Sequence, residues 1–574
     1  MQKIKDILKK HHIVIIIAIL VGVISIAPNV FFSFNDSYEG IQMFGADAED
    51  HYISRIQEVY DGYPALGNVF LPDKEQAYLT PGLGEVLVAY LGNALFISAV
   101  KINVLSKFIF PVIIFLLIYA FVYKLFFSKT ISILSSTVVF FGYNLISEPN
   151  SILALFSFTT FSSEFLVYTR PINPEISSIF LFASLYLLFS IIYGGKSLWK
   201  PILLGALSGL LVYISIYPWS FLLVLFVLYF LYFIYKKEFS NAKYIIYAVI
   251  INTVTTIQFW FNFISLKSHE FYLDTAARQG LVNSHAFVWS LWLFILLMLL
   301  VFLWPQAYKK AKIFLLLAVI SLIIATNQHI ITGIYIQPSH YHWYITKPFV
   351  AIIITALFIY LIRRFIKNKI AIKVILLLVV VVLFYNAILI QTNSYVKHLP
   401  SAIENQKYAQ VIKYLNNNFQ VAQNIWASVN ISELIPMYTK HNSPNNTYSG
   451  LYLSSEKYYI DRLLLNYRLR GIRPEDIYEV MQNEKIMVSQ RVYFIKYREE
   501  LGSYDAIPDE TIAFFSEEYN YFYNRDIEDI FNDFDIDIII WDKEEWPDFP
   551  YNSLKKFKEI KNIEDKFIVY IVLL

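Results

Sequence analysis

Apolar residues in the first two thirds of the chain gather into long runs separated by short polar stretches. A bilayer core about 30 Å thick is crossed by roughly 20 mostly apolar residues in a helix. Runs at 13–33, 107–126, 131–147, 174–193, 201–216, 219–235, 244–265, 287–304, 313–328, 346–362 and 374–392 therefore predict about eleven transmembrane helices. Residues 85–100 form a weaker run that reads as a short interfacial helix rather than another span. Beyond 392 the pattern changes. Helical spacing of apolar positions covers 403–418, 456–471, 473–483 and 508–532, and strand-like runs fall at 424–429, 536–541, 557–562 and 567–573. The expected fold is a polytopic α-helical membrane domain over 1–392, with a first outer loop at 34–106, followed by an extracytoplasmic α/β domain over 393–574.

Charge follows the same division. The chain is 57% hydrophobic and only 16% charged, against about 25% charged in an ordinary soluble domain. Residues 393–574 carry 20 Lys/Arg and 28 Asp/Glu, while 1–392 carry 27 and 17. The first part is apolar and net basic, the second of ordinary polarity and net acidic. A net charge of +2 with no basic run outside the membrane flanks argues against nucleic acid as a partner. The absence of cysteine excludes disulfides, thiolate metal sites and cysteine nucleophiles.

Orientation comes from the Lys/Arg asymmetry of the loops. Lys3, Lys5, Lys9 and Lys10 precede the first run, and Pro28 directly follows the one small-residue site, Ser25-Ile26-Ala27, so that run reads as an uncleaved span. With the N-terminus in the cytoplasm, the inner loops collect nineteen Lys/Arg and the outer loops eight. Eleven spans then place the C-terminal domain outside, in what the composition implies is a prokaryotic plasma membrane. The side chains capable of chemistry collect in the outer loops.

Asp47-Ala-Glu49-Asp50-His51-Tyr52 opens an apolar spacing at 52, 53, 56, 59 and 60 that predicts an amphipathic helix over 49–60, ending at Gly62 and lying along the membrane interface. Asp47 at its start is either a general base presented at the membrane surface, with Glu49 or Asp50 as helper or as ligand to Mg²⁺ or Mn²⁺, or merely a helix cap. His51 and Arg55 on this helix are secondary candidates. Thr169-Arg170-Pro171-Ile-Asn173-Pro174-Glu175 puts an arginine at a depth where it needs an anion. Phosphate suits a guanidinium through two parallel hydrogen bonds; Glu164, Glu175 or lipid headgroups are the structural alternative. His340 and His342 alternate with Tyr341 and Trp343, so an extended chain would turn both imidazoles to one face, with Lys347 following. They suit a donor phosphate or sugar hydroxyl better than zinc, and an interfacial aromatic belt is the plain alternative. Arg278 stands in a loop without a recognisable pattern. Asp533, Asp535 and Asp537 read as a solvated strand edge. No Gly-rich phosphate loop, nucleophile elbow or zinc-protease motif occurs.

With these parts in place, the many spans, the long first outer loop with its acidic residue and the interfacial helix after it resemble the membrane-integral glycosyltransferases of the C superfamily (GT-C), such as protein O-mannosyltransferases, aminoarabinose transferases and oligosaccharyltransferases, and the segments ADAEDHYISRIQEVYDG, TRPINPE and NQHIITGIYIQPSHYHWY resemble those of prokaryotic multi-span proteins of the same architecture. The resemblance implies a first-loop catalytic carboxylate, which falls on Asp47, with Glu49 or Asp50 as helper or metal ligand. It also implies a polyprenyl-phosphate-linked sugar as donor, the lipid bilayer as partner, and a glycan, lipid or protein as acceptor. Arg170, His340, His342 and Lys347 are placed on the donor by side and chemistry alone. The competing readings are a non-catalytic lipid-carrier flippase or polysaccharide-export protein, and a structural or sensory membrane protein.

Overall fold

A computed structural model describes residues 2–160, 164–195, 197–549, 551 and 554–573. Among them, seven helices are long and apolar enough to cross a bilayer: Lys10–Phe32, Ala99–Phe126, Glu175–Tyr193, Ile216–Tyr235, Gln306–Thr332, Pro338–Phe365 and Lys369–Asn418. Phe239–Thr255 and Ile257–Lys267 form one further path bent by 46°, and Lys129–Phe141, Trp199–Tyr213 and Leu291–Leu303 are shorter apolar helices. With the bent pair taken as one, these elements coincide one for one with the predicted spans. The chain is a polytopic helical membrane protein with a small C-terminal sheet domain.

The short helices have local causes. Leu291–Leu303 stops because Trp304 precedes Pro305 and is extended, with φ −72° and ψ 133°, the conformation a following proline enforces. Lys129–Phe141 ends at Gly142, and the chain resumes as the separate turn of helix Tyr143–Ser147. The 85–100 run becomes Leu83–Ala94, whose twelve residues reach only about 18 Å at 1.5 Å per residue and do not cross a bilayer.

The C-terminal residues build a four-stranded mixed sheet in the order Ile425–Ala427, Ile538–Asp542, Phe567–Val572, Phe557–Ile563; the first pair is parallel and the others antiparallel. Alternate residues of a strand face opposite sides, and both sides here are covered. Ile538 and Ile540 join Val411, Leu415 and Ile435 on one face, whereas Ile539 joins Leu463, Phe515 and Phe531 on the other. The first of these cores also contains Ile53 of the long loop after the first membrane helix and Val100 of the helix Ala99–Phe126, so the sheet domain and the loop share one apolar interior. Asp533, Asp535 and Asp537 are not a strand edge: Asp533 ends the helix Ile527–Asp533, and Asp535 and Asp537 lie between it and the strand Ile538–Asp542. Asp533 is paired with Arg525, while the Asp537 carboxylate accepts from the Asn424 N–H.

Glu49–Tyr60 forms as the spacing predicts, with Gly62 in a left-handed conformation (φ +100°) just after it. It does not lie on a lipid surface. Glu49, His51, Arg55 and Glu58 are all buried, because the helix is wedged between the membrane helices and Val429–Tyr438 of the sheet domain. Three of its charges meet a counter-charge: Glu49 is 2.5 Å from Lys107, Arg55 is 2.5 Å from Glu85, and Glu58 is 3.1 Å from Lys74. Glu49 further accepts from the N–H groups of Gly45 and Ala46 and from the Asn103 amide.

Removing one member of a buried ion pair strands the other charge and costs about 3–5 kcal/mol. Glu49→Ala and Lys107→Ala are therefore each expected to lower the melting temperature of the detergent-solubilised protein sharply, and Glu49→Ala/Lys107→Leu less than the sum of the two. Additive losses in a thermal melt would show that the pair is not coupled.

Candidate functional site

The N-cap position of the first-loop helix is Ala48, in a left-handed conformation (φ 55°), and no side chain caps the helix. Asp47 is thus not the helix cap that its position allows. The turn pushes it outward, and its side chain is 71% exposed. Its carboxylate lies 3.2 Å from the Arg170 guanidinium. Arg170 Nε also donates to the Asp47 carbonyl oxygen at 2.9 Å, and Nη1 donates to the Tyr344 hydroxyl at 2.7 Å. The anion that Arg170 meets is therefore Asp47, not Glu164 or Glu175. Glu175 lies buried at the start of its helix, accepting from Ser106 Oγ. Because the Asp47–Arg170 pair is partly open to solvent, it contributes little to folding and leaves both groups available to a guest.

Both residues line a cavity of about 1370 Å³ between the membrane helices and the sheet domain. Tyr52, Tyr217, His340 and Tyr344 form part of its membrane-side wall, and Tyr448, Phe494 and Arg498 come from the sheet domain. A second hollow of about 500 Å³ adjoins it, lined by Asp50, His398 and Glu433 among others. Five residues border both spaces: Ala46, Asp47, Ala48, Glu164 and Tyr448. Asp47 and Tyr448 thus stand in the partition between two compartments, an arrangement in which one carboxylate is reachable from two sides.

The remaining predicted residues divide. His340 lines the large cavity, stacked on Tyr217 at 4.6 Å between ring centres. His342 does not share that face. Residues 338–346 are helical rather than extended, so positions two apart point to nearly opposite sides, and His342 is bonded to the Tyr143 hydroxyl at 3.2 Å. Lys347 lies over the rings of Tyr143 and Trp343, outside the cavity lining. His51 lines the cavity with its ring stacked on Tyr448 at 4.9 Å and its Nε2 3.1 Å from the Tyr452 hydroxyl. Burial and the nearby cations of Arg55 and Arg170 hold it neutral, far below the usual imidazole range. Arg55 is a structural clamp on Glu85, Tyr452 and the carbonyls of Thr80 and Pro81. Arg278 is another, donating to the carbonyls of Gly450 and Ser454 and tying its loop to the sheet domain.

Asp50 faces the smaller hollow, where burial and the neighbouring Glu433 carboxylate push its pKa up to about 8. For a divalent cation the carboxylates are divided: Asp47 faces Arg170, Glu49 is held by Lys107, and Asp50 faces Glu433. Among the described residues no group of three or more His, Asp or Glu side chains is arranged to hold a metal. The proposed metal role of Glu49 and Asp50 does not fit this arrangement.

Sequence reasoning missed Tyr448. It sits in Thr447-Tyr448-Ser449-Gly450, and the preceding Asn445 and Asn446 are buried. Arg462 Nη1 donates to the Asn446 carbonyl oxygen and Arg491 Nη1 to that of Asn445, both at 2.8 Å. The only sequence signal is this small polar run between predicted elements.

No protein-family model and no curated protein matches the chain. Among solved structures it is similar to ArnT from Cupriavidus metallidurans bound to undecaprenyl phosphate, with TM-score 0.47, 9% identity and coverage of 98% of each chain. It is also similar to the oligosaccharyltransferase AglB from Archaeoglobus fulgidus in complex with an inhibitory peptide and a dolichol-phosphate, with TM-score 0.46, 11% identity and coverage of 94% of this chain and 70% of that one. Both are GT-C membrane glycosyltransferases. With identities this low and TM-scores below 0.5, the chemistry of this chain has to be read from its own residues.

The raised Asp50 pKa has a definite sign. Folded Asp50 keeps its proton between about pH 4 and pH 8, where the unfolded chain has released it, so stability falls as pH rises through that window. Asp50→Asn is expected to flatten the decline in melting temperature between pH 5 and pH 8, as estimated from that titration range. A wild-type melting temperature that rises with pH, unchanged in slope by the substitution, would contradict the assignment.

Proposed function

We propose that this protein is a glycosyltransferase that moves a sugar from a polyprenyl-phosphate donor to an acceptor hydroxyl at the outer face of the plasma membrane, with a cytoplasmic N-terminus and the sheet domain outside. The observation that carries the reading is the accessible Asp47–Arg170 pair in the partition between two compartments at the end of the helices. A guanidinium that already holds one carboxylate presents donors to a phosphate in the same geometry. A carboxylate freed from that guanidinium is a competent proton acceptor.

In this reading the donor occupies the large cavity, and its phosphate replaces Asp47 as the partner of Arg170. The acceptor approaches from the smaller hollow. Its hydroxyl gives its proton to Asp47 as the oxygen attacks the anomeric carbon; the new C–O bond forms on the face opposite the breaking bond to phosphate. Configuration inverts, and polyprenyl phosphate leaves with the bonding electrons, its charge held by Arg170. Positioning and phosphate stabilisation supply most of the acceleration. No step is routed through a metal. His342 and Lys347 have no part in it, and His51 and Arg55 act by holding the helix that carries Asp47.

Native mass spectrometry of the purified protein tests the donor half. Saturable binding of polyprenyl phosphate is expected, stronger than that of ordinary anionic phospholipids and lost in Arg170→Ala. Binding no better than that of any phospholipid would remove the basis for a lipid-carrier substrate. Asp47→Asn is expected to fold normally and retain the lipid, while transfer from a matched donor falls by about 10²–10⁴-fold, the usual contribution of a general base. Undiminished transfer would take Asp47 out of the chemistry; lipid binding without transfer in the wild type would favour a carrier-handling protein instead.

A further inference from the structure

The helix Lys369–Glu404 provides a scale of depth in the membrane. It starts in a basic cluster, Arg363, Arg364, Lys367, Lys369 and Lys373, of the kind that flanks a bilayer. The uncharged stretch 374–392 follows. Just past its far end, Gln406 Nε2 donates to the Ile41 carbonyl oxygen at 2.7 Å, so that end lies on the side of the first loop and Asp47.

Three neighbours bond to this helix. Asn386 Nδ2 donates to the Phe141 carbonyl oxygen at 2.6 Å, and the Tyr385 hydroxyl donates to that of Leu155 at 3.3 Å. Gln391 Oε1 accepts from the Leu166 N–H at 3.1 Å. At 1.5 Å per residue, Tyr385 lies about 18 Å beyond Lys373, and Gln391 about 27 Å. A hydrocarbon core is about 30 Å thick, which leaves Leu155 well inside its Asp47 side. The chain gains no height between Phe141 and Leu155, then about 9 Å by Leu166. Between Phe141 and Leu155 it is therefore folded back on itself at membrane depth.

At that level Pro149–Phe156 turns Ile152, Leu153 and Phe156 outward, and Ala154 and Leu155 inward. Phe156 is 81% and Phe158 78% exposed, and the Phe158 ring lies 6.4 Å from that of Tyr385. Backbone at this depth has to satisfy its polar groups within the protein, and here it does. The Thr159 N–H donates to the Ala154 carbonyl oxygen at 3.1 Å and the Phe158 N–H to that of Leu155 at 3.3 Å. This closure puts one residue in the left-handed conformation, usually glycine. Gly62 fills the place after Glu49–Tyr60, whereas Phe158 fills it here, with φ 55°. A side chain strains such a backbone; removing the ring from water offsets that cost.

We infer that residues 149–158 form a re-entrant wedge in the leaflet on the Asp47 side, and that its partner is the acyl chains of the bilayer, packed against Ile152, Leu153, Phe156 and Phe158. The wedge is independent of the donor reading above.

The chain has no cysteine, so Leu153→Cys, Phe156→Cys and Phe158→Cys each carry a single nitroxide label in the full-length protein, reconstituted into nanodiscs of phosphatidylcholine and phosphatidylglycerol. Collision with oxygen, which concentrates in lipid, is compared with collision with a water-soluble nickel chelate. Val381→Cys, exposed along the last membrane helix, and Tyr521→Cys, exposed on the sheet domain, give the lipid and water limits. The oxygen-to-nickel ratio at the wedge sites is expected to shift to the Val381 limit. Ratios at the Tyr521 limit would overturn the wedge, as would low collision rates with both reagents, the mark of a protein partner. All three sites are exposed and separately labelled, so loss of one variant to misfolding leaves two to decide.

Discussion

A helix that carries charge on most of its faces cannot be packed inside a protein unless each charge is met. Glu49–Tyr60 is such a helix, and the Glu49–Lys107 pair is the contact on which the rest of the site depends. It fastens the first turn to the helix Ala99–Phe126, and the Glu49 carboxylate at the same time closes the Gly45–Ala46 turn onto the helix start. The left-handed Ala48 and the outward Asp47 follow from that closure. Arg55 and Glu85 repeat the device one and a half turns later. Ionic pairing therefore sets the position of Asp47, and apolar packing of Ile53 into the sheet domain's core sets the position of what faces it.

The membrane helices were legible in the chain because a bilayer imposes a long apolar run on every crossing, and the 49–60 helix because its spacing is strict. Lipid exposure was not. Periodicity gives a polar face but not its partners, and the partners here lie 30 to 58 positions away, at Glu85 and Lys107. The same limit explains His342 and Lys347. Their types suit a phosphate, yet residues 338–346 coil where alternation implied extension, and the two point toward Tyr143 and Trp343. Asp47 and Arg170 were both singled out without any sign that they would meet each other. Tyr448 was invisible because a tyrosine in a polar loop is unremarkable until Arg462 and Arg491 are seen holding that loop by its carbonyls.

The two compartments owe their shape to two different materials. The membrane side of the large cavity is aromatic and rigid, made of rings on adjacent helices. The opposite side comes from the sheet domain through Tyr448, Phe494 and Arg498. The cavity is therefore a property of the whole chain. Neither part encloses it alone, and the buried arginines that grip carbonyls across the junction, Arg278 on Gly450 and Ser454, are part of its architecture.

The last membrane helix gives this junction a mechanical character. Lys369–Glu404 runs unbroken for 36 residues, about 54 Å at 1.5 Å per residue, and so continues well past the length a bilayer needs. The sheet domain stands on it as a roof stands on a pillar, with Arg278 as a second tie. The roof is fastened at further points as well, through Ile53 in its apolar core and Arg55 on the Tyr452 hydroxyl, so the pillar and the first loop carry it together.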